Sequence, residues 1–232
     1  MSKKADLKLD WATHAAAKYA CEHWHYAKSL PTPPIVRVGV WEDKIFKGVV
    51  LFSRGAGNNL VKPYGLRQDE GCELTRIALT DHKAEVSKII SISLRFLKLY
   101  SKGLRLVVSY ADPNNGHNGA IYQAGNWVYA GKSTPGSSYE APDGKVWHSR
   151  MVKKQGFTTC YGKRRSTWRP DQCTKIELEG KHRYLMALDP EMKKQIEPLG
   201  KPYPKRLKQA MAGSTGTAEG QHLPGRSTLG RA

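Results

Sequence analysis

The chain has 232 residues, with 38 Lys and Arg against 20 Asp and Glu and a formal net charge of +18. That length accommodates one domain with a continuous core and appendages, and the charge sets it apart from ordinary metabolic enzymes and points to a polyanionic partner. Cys21, Cys72, Cys160 and Cys173 lack metal-type spacing and read as reduced thiols, while no signal peptide and no apolar run of about 18 residues is found, so a cytoplasmic protein is expected rather than a secreted or membrane-spanning one.

In chain order, Asp10–Ser29 is alanine-rich with Trp11, Ala15, Tyr19 and Trp24 at helical spacing, and predicts a first helix stopped by the proline-rich loop Leu30–Pro34. Ile35–Trp41 and Phe46–Ser53 predict an antiparallel hairpin around Glu42-Asp43-Lys44, and Cys72–Leu79 a further strand after a glycine-containing loop. From Lys83 to Tyr100 apolar residues recur at three and four, an amphipathic helix ending before Gly103. Leu104–Tyr110 reads as a buried strand, His117–Ala124 as a short helix and Asn126–Ala130 as a strand, together a βαβ-type unit.

Residues from about 132 to 172 read as a basic loop insertion, in which Arg150–Pro170 holds seven Lys or Arg and no acid. Lys175–Leu188 predicts one more hairpin, Asp189–Ile196 a short helix, and the small polar residues 210–232 a disordered tail. The expected fold class is mixed α/β with one central sheet, in a domain spanning residues 1–209.

The stretch YADPNNGHNGAIYQAGNWVYAG puts many polar groups directly after a buried strand. Asp112, at that strand's end, is the candidate hydrogen-bond or proton acceptor, with a capped turn as the structural alternative. His23 and His25, two apart on a helix, do not share a face, so no metal site is assigned to them. Glu73 and Arg76 share a face only if the strand turns locally, since a regular strand sets them on opposite faces.

GAIYQAGNW on a short helix after a buried strand resembles the GNAT-type N-acyltransferases. The ordered fragments CEHWHY, KSLP, FSRGA, KPYGL, CELTRIAL, SYADP, IYQAGNWVYAG, KHRYLM and KPYPKR, from Cys21 to Arg206, more specifically resemble the Mom family of phage DNA-modification proteins. The resemblance implies conversion of adenine in DNA to N6-(carbamoylmethyl)adenine, protecting phage DNA from restriction inside the host cell. It also implies a GNAT-like sheet in which two neighbouring strands part around the reacting groups, with Tyr122 as general acid. His25, Tyr26, Ser53, Arg54, Glu73, Arg76 and Asn126 are assigned to substrate binding.

Enzymes of that superfamily that use acetyl-CoA hold its pyrophosphate on a glycine-rich loop before the long helix. Here no glycine lies between Gly71 and Gly103. The expected donor is therefore a glycyl ester, glycyl-tRNA, with acetyl-CoA as the alternative. Double-stranded DNA is the expected substrate, and Lys62, Arg67, Lys153, Lys154, Lys163, Arg164, Arg165 and Arg169 are the expected phosphate contacts. The competing reading is a non-catalytic basic DNA-binding protein on an acyltransferase scaffold.

Overall fold

A computed structural model describes residues 6–31, 34–55, 57, 59–160 and 162–205; the expected tail at 210–232 lies outside them. Within the described residues the chain forms two units, one from residues up to 111 with 117–131 and 182 onward, the other from 112–116 and 132–181. Among the described residues, no helix is long and apolar enough to cross a membrane.

The first unit is built on a seven-stranded sheet. It begins with β1 (Leu7–Trp11), where the sequence predicts helix instead. Thr13 sets the true start of α1 (His14–Trp24), because its side chain accepts the Ala16 N–H. Trp11, expected on the helix face, ends the strand and meets Phe96 and Tyr100 edge-on at 4.9 and 5.1 Å.

β2 (Pro34–Glu42) and β3 (Ile45–Ser53) form the expected hairpin. Asp43 and Lys44 both have positive φ, 51° and 67°, as a two-residue turn matched to the strands' twist requires. β4 (Gly71–Leu79), α2 (Val86–Tyr100), β5 (Leu106–Ala111), α3 (Ala120–Gln123) and β6 (Val128–Lys132) follow near their expected places. The sheet is completed by β12 (His182–Ala187), giving the order β1-β2-β3-β4-β5-β12-β6. The βαβ expectation is thus corrected: β5 and β6 are not neighbours, because β12 lies between them, antiparallel to β5.

Alternation distributes apolar side chains to both faces. Val36, Val38, Val50, Phe52, Leu74 and Val107 pack with Ile89, Ile90, Leu94 and Leu97 of α2. On the opposite face Ala17, Ala20 and Cys21 of α1 pack on Val49, Leu51 and Ala78, and α4 (Pro190–Ile196) packs through Met192 and Ile196 on Leu106, Val108 and Leu185.

The second unit contains strands where the sequence suggests a loop. β7 (Gly136–Glu140) pairs with β8 (Val146–His148) and with β11 (Thr174–Leu178), while β9 (Phe157–Cys160) pairs with β10 (Lys163–Ser166). β11 and β12 therefore do not form the expected hairpin, since they belong to different sheets.

Helix α2 starts three residues later than its apolar pattern suggests, and Glu42 supplies the reason. This residue is 2% exposed, and its carboxylate accepts the N–H of Lys83 at 2.9 Å and of Ala84 at 2.6 Å. Burial raises its proton affinity, but the backbone N–H groups of Lys83 and Ala84 outweigh that and hold the carboxyl below its ordinary range. Replacing Glu42 with Ala strands two N–H groups in a part-buried turn and is expected to cost about 1–3 kcal/mol in urea unfolding. Because the folded group is the stronger acid, its stabilisation is present at neutral pH and lost as pH falls below the ordinary carboxylate range. The variant should show a flatter acid limb than the natural chain.

Candidate active site

Parallel pairing of β4 with β5 runs only from Gly71↔Leu106 to Leu74↔Ser109. Beyond that point the strands part, and a bulge explains why. Leu51 pairs with Arg76 and Phe52 with Leu74, which leaves Thr75 as one extra residue on β4. An extra residue bends its strand and increases the local twist, so β4 stays with β3 and leaves β5. The Thr75 hydroxyl donates to the Glu73 carbonyl at 3.1 Å; the Ser53 hydroxyl, 2.6 Å from it, therefore donates to Thr75 and accepts the Gly55 N–H at 3.0 Å.

Removing one residue from the alternation puts Glu73 and Arg76 on the same face, the local turn on which their pairing depended. Arg76 donates to the Thr75 carbonyl at 2.9 Å, and among the described residues its buried Nε has no hydrogen-bond partner.

On β5, Ser109 is fully buried and bridges the strands where pairing ends. Its hydroxyl lies 2.9 Å from the Leu74 carbonyl oxygen and 2.8 Å from the Tyr122 hydroxyl. A carbonyl can only accept, so the single serine proton goes to Leu74 and Tyr122 donates to Ser109. Tyr122 is 6% exposed, packed against Trp127 and Tyr184, and burial pushes its phenol up to about 12. It is a protonated donor at neutral pH.

At the end of α1, His25 is 8% exposed and its Nδ1 accepts the Ala27 N–H at 3.0 Å. Burial first, then the charges of Arg76, His117 and Lys28, push its imidazolium down to about 4. A neutral ring with Nδ1 accepting must carry its proton on Nε2. His25 is therefore a neutral donor too. Its ring lies 4.3 Å from that of Tyr26, whose exposed ring lies 5.4 Å from His117. His23, the other histidine of CEHWHY, stacks on Tyr19 instead, and among the described residues no three His, Cys, Asp or Glu are placed to hold a metal.

Most of the remaining sequence-derived residues make contacts of other kinds. Ser53 is 4% exposed and pins the bulge rather than facing outward. Asn126 is exposed with φ 56°, the left-handed residue that closes the turn after α3. Arg54 and Lys62 are exposed in the loop between β3 and β4, and Arg67 pairs there with Asp69 at 3.1 Å. Asp112 lies in the second unit, where it caps a turn by accepting the Asn114 N–H at 3.0 Å and pairs with Lys181 at 3.0 Å. Burial pushes its carboxyl up, but Asn114 and Lys181 outweigh that and leave it lowered, which makes it a weaker proton acceptor than an ordinary carboxylate. Lys154, Lys163, Arg164, Arg165 and Arg169 are exposed in the same unit, and Lys153 is half-buried.

Three residues of the first-unit site were not singled out from sequence. Ser109 is the small polar residue that follows the apolar residues Leu106, Val107 and Val108 in the buried strand, a signal that was available. Thr75 acts only through a register shift, and His117 only by meeting Tyr26 across the fold, which spacing does not reveal.

The Mom protein family model matches residues 6–205. "Methylcarbamoylase mom" of Escherichia phage Mu is 24% identical over 213 residues, covering 86% of this chain and 84% of that protein. Among solved structures, spermidine N-acetyltransferase from Vibrio cholerae, crystallised with CoA and spermine, is 9% identical with a TM-score of 0.41 over 78% of this chain and 95% of that one.

Long-range 1H–15N correlation spectra of the histidine rings should show His25 as the neutral Nε2–H tautomer down to about pH 5, with titration near 4. A ring titrating near 6.5 or protonated on Nδ1 would contradict the assignment. The folded ring binds its proton more weakly than the unfolded one, so His25 lowers stability progressively as pH falls from 6.5 towards about 4.

Proposed function

This chain belongs to the Mom protein family, and from that premise we propose that it modifies adenine in DNA to N6-(carbamoylmethyl)adenine. The modification protects phage DNA from host restriction. The observation that carries the reading is the pair of neutral donors, Tyr122 and His25, held beside two parted strands in a protein of net charge +18.

The exocyclic amine of adenine is a weak nucleophile because its lone pair is delocalised into the ring. An enzyme acting on it must extrude the base, at a cost of about a few kcal/mol, and stabilise the charge that develops on the acyl group. The exposed ring of Tyr26 gives the extruded base a stacking surface. The amine attacks the carbonyl carbon of the donor, and the oxyanion that forms is met by the Nε2–H of His25. When the ester C–O bond breaks, Tyr122 exchanges Ser109 for the departing oxygen and gives it a proton, and the proton that N6 loses on becoming an amide restores the Tyr122 phenol.

The donor in this reading is a glycyl ester, carried on tRNA. Glu42 supports it, because its carboxylate already occupies the N–H groups of Lys83 and Ala84 ahead of α2, in the segment where a pyrophosphate would be cradled. Acyl transfer gives N6-glycyladenine. The free glycyl amine then attacks ring carbon six and the original C6–N6 bond breaks, yielding the isomeric carbamoylmethyl product without any oxidant or second donor. The nitrogen that began as N6 ends as the carboxamide.

That exchange is directly measurable. With purified protein, duplex DNA and glycyl-tRNA labelled with 15N in its amine, nucleoside mass spectrometry should find the modified adenine, and hydrolysis of its carboxamide should release unlabelled ammonia. Labelled ammonia would rule out the rearrangement, and modification with acetyl-CoA but not glycyl-tRNA would rule out the donor. Tyr122→Phe, which keeps the packing but removes the proton, should lower turnover by about 10²–10⁴-fold.

A further inference from the structure

Among the described residues, the β9–β10 hairpin is a ribbon of two strands with no third partner. Its register pairs Lys163 with Cys160, Arg164 with Thr159, Arg165 with Thr158 and Ser166 with Phe157. Directly opposed residues share a face and neighbours alternate. Lys163 and Arg165 thus project from one face and Arg164 from the other. In most two-stranded elements one face is buried against a core; here all four β10 residues are exposed. An isolated hairpin is marginally stable in water, and this one is secured at its base, where Thr167 N–H donates to the Gly156 carbonyl at 2.8 Å and Lys153 N–H to the Trp168 carbonyl at 3.0 Å. On its second face the Arg164 guanidinium lies 3.6 Å over the Phe157 ring, which holds that cation along the ribbon.

Cations on both faces of a ribbon whose β10 strand is exposed throughout fit a partner that surrounds it with negative charge. The major groove of B-form DNA, about 12 Å wide and walled by phosphates, admits a two-stranded ribbon. At about 3.3 Å per residue, four residues extend roughly 13 Å, or about four base pairs. The deep, narrow major groove of A-form RNA does not admit it. We infer that the β9–β10 ribbon enters the major groove of the DNA substrate and reads base edges with Lys163 and Arg165, while Arg164 lies towards the backbone. The inference rests on DNA being the substrate and adds a source of sequence preference. Arg and Lys recognise guanine O6 and N7.

The test uses the full chain bound to a duplex DNA, probed with dimethyl sulfate, which methylates guanine N7 in the major groove and adenine N3 in the minor groove. The natural chain should protect guanine N7 over about four base pairs. Lys163→Ala with Arg165→Ala should remove that protection and weaken binding roughly tenfold or more, leaving any preference for base sequence reduced; Arg164→Ala should weaken binding and keep the N7 protection. Binding with adenine N3 protection, or without N7 protection, overturns the ribbon's placement while leaving DNA as the substrate. Loss of tRNA binding by the double variant with an unchanged DNA footprint overturns it in favour of RNA. Failure of the natural chain to bind duplex DNA at all overturns both the ribbon and the substrate.

Discussion

Pairing between β4 and β5 stops after four residue pairs, because Thr75 adds one residue to β4 and bends it towards β3. Two polar contacts hold the interruption in place. Ser53 and Thr75 secure the bulge on one side, and Ser109 satisfies the Leu74 carbonyl that a continuing ladder would otherwise have engaged. An interruption inside a sheet leaves backbone groups that must be paired to avoid a cost of about 1–3 kcal/mol each, and here serine and threonine hydroxyls do the pairing. Tyr122 is then positioned by the same serine that closes the break. Structural repair and candidate chemistry therefore share one hydroxyl.

The electrostatics of the first unit follow a consistent pattern. Surrounding positive charge and burial both disfavour a second positive charge, which keeps His25 neutral, and burial keeps Tyr122 protonated. The site accordingly presents neutral N–H and O–H donors suited to a developing oxyanion. Glu42 shows the opposite case, a carboxylate kept ionised by the backbone N–H groups it accepts. Its place ahead of α2 also gives the helix a start that its apolar periodicity does not mark.

Much of the fold was legible because its elements carry strong local signals. The β2–β3 hairpin, α2 and β5 follow directly from β-branched runs and helical spacing. The errors arose where contacts distant in sequence decide. Trp11 fits a helical stripe, but pairing with Val38 and the Thr13 cap place it in a strand. Lys175–Leu188 looks like a hairpin, yet its halves pair with β7 and β5, in different sheets. Within the site, Tyr122, His25 and Tyr26 were visible as residue types beside predicted element ends. Thr75 was not, since its role comes from a register shift, and the polar Ser109 in an apolar run gave a signal whose meaning only the end of the ladder supplies.

The central claim is that the extruded adenine enters the first unit beside the parted strands. Tyrosine-selective 13C labelling with NMR titration by duplex DNA tests it most directly, because a stacked purine shifts nearby ring signals through its ring current. The account predicts that Tyr26 shifts strongly and Tyr122 detectably, while Tyr100 on the far end of α2 stays in place. Saturation with DNA that leaves Tyr26 and Tyr122 unmoved would contradict it.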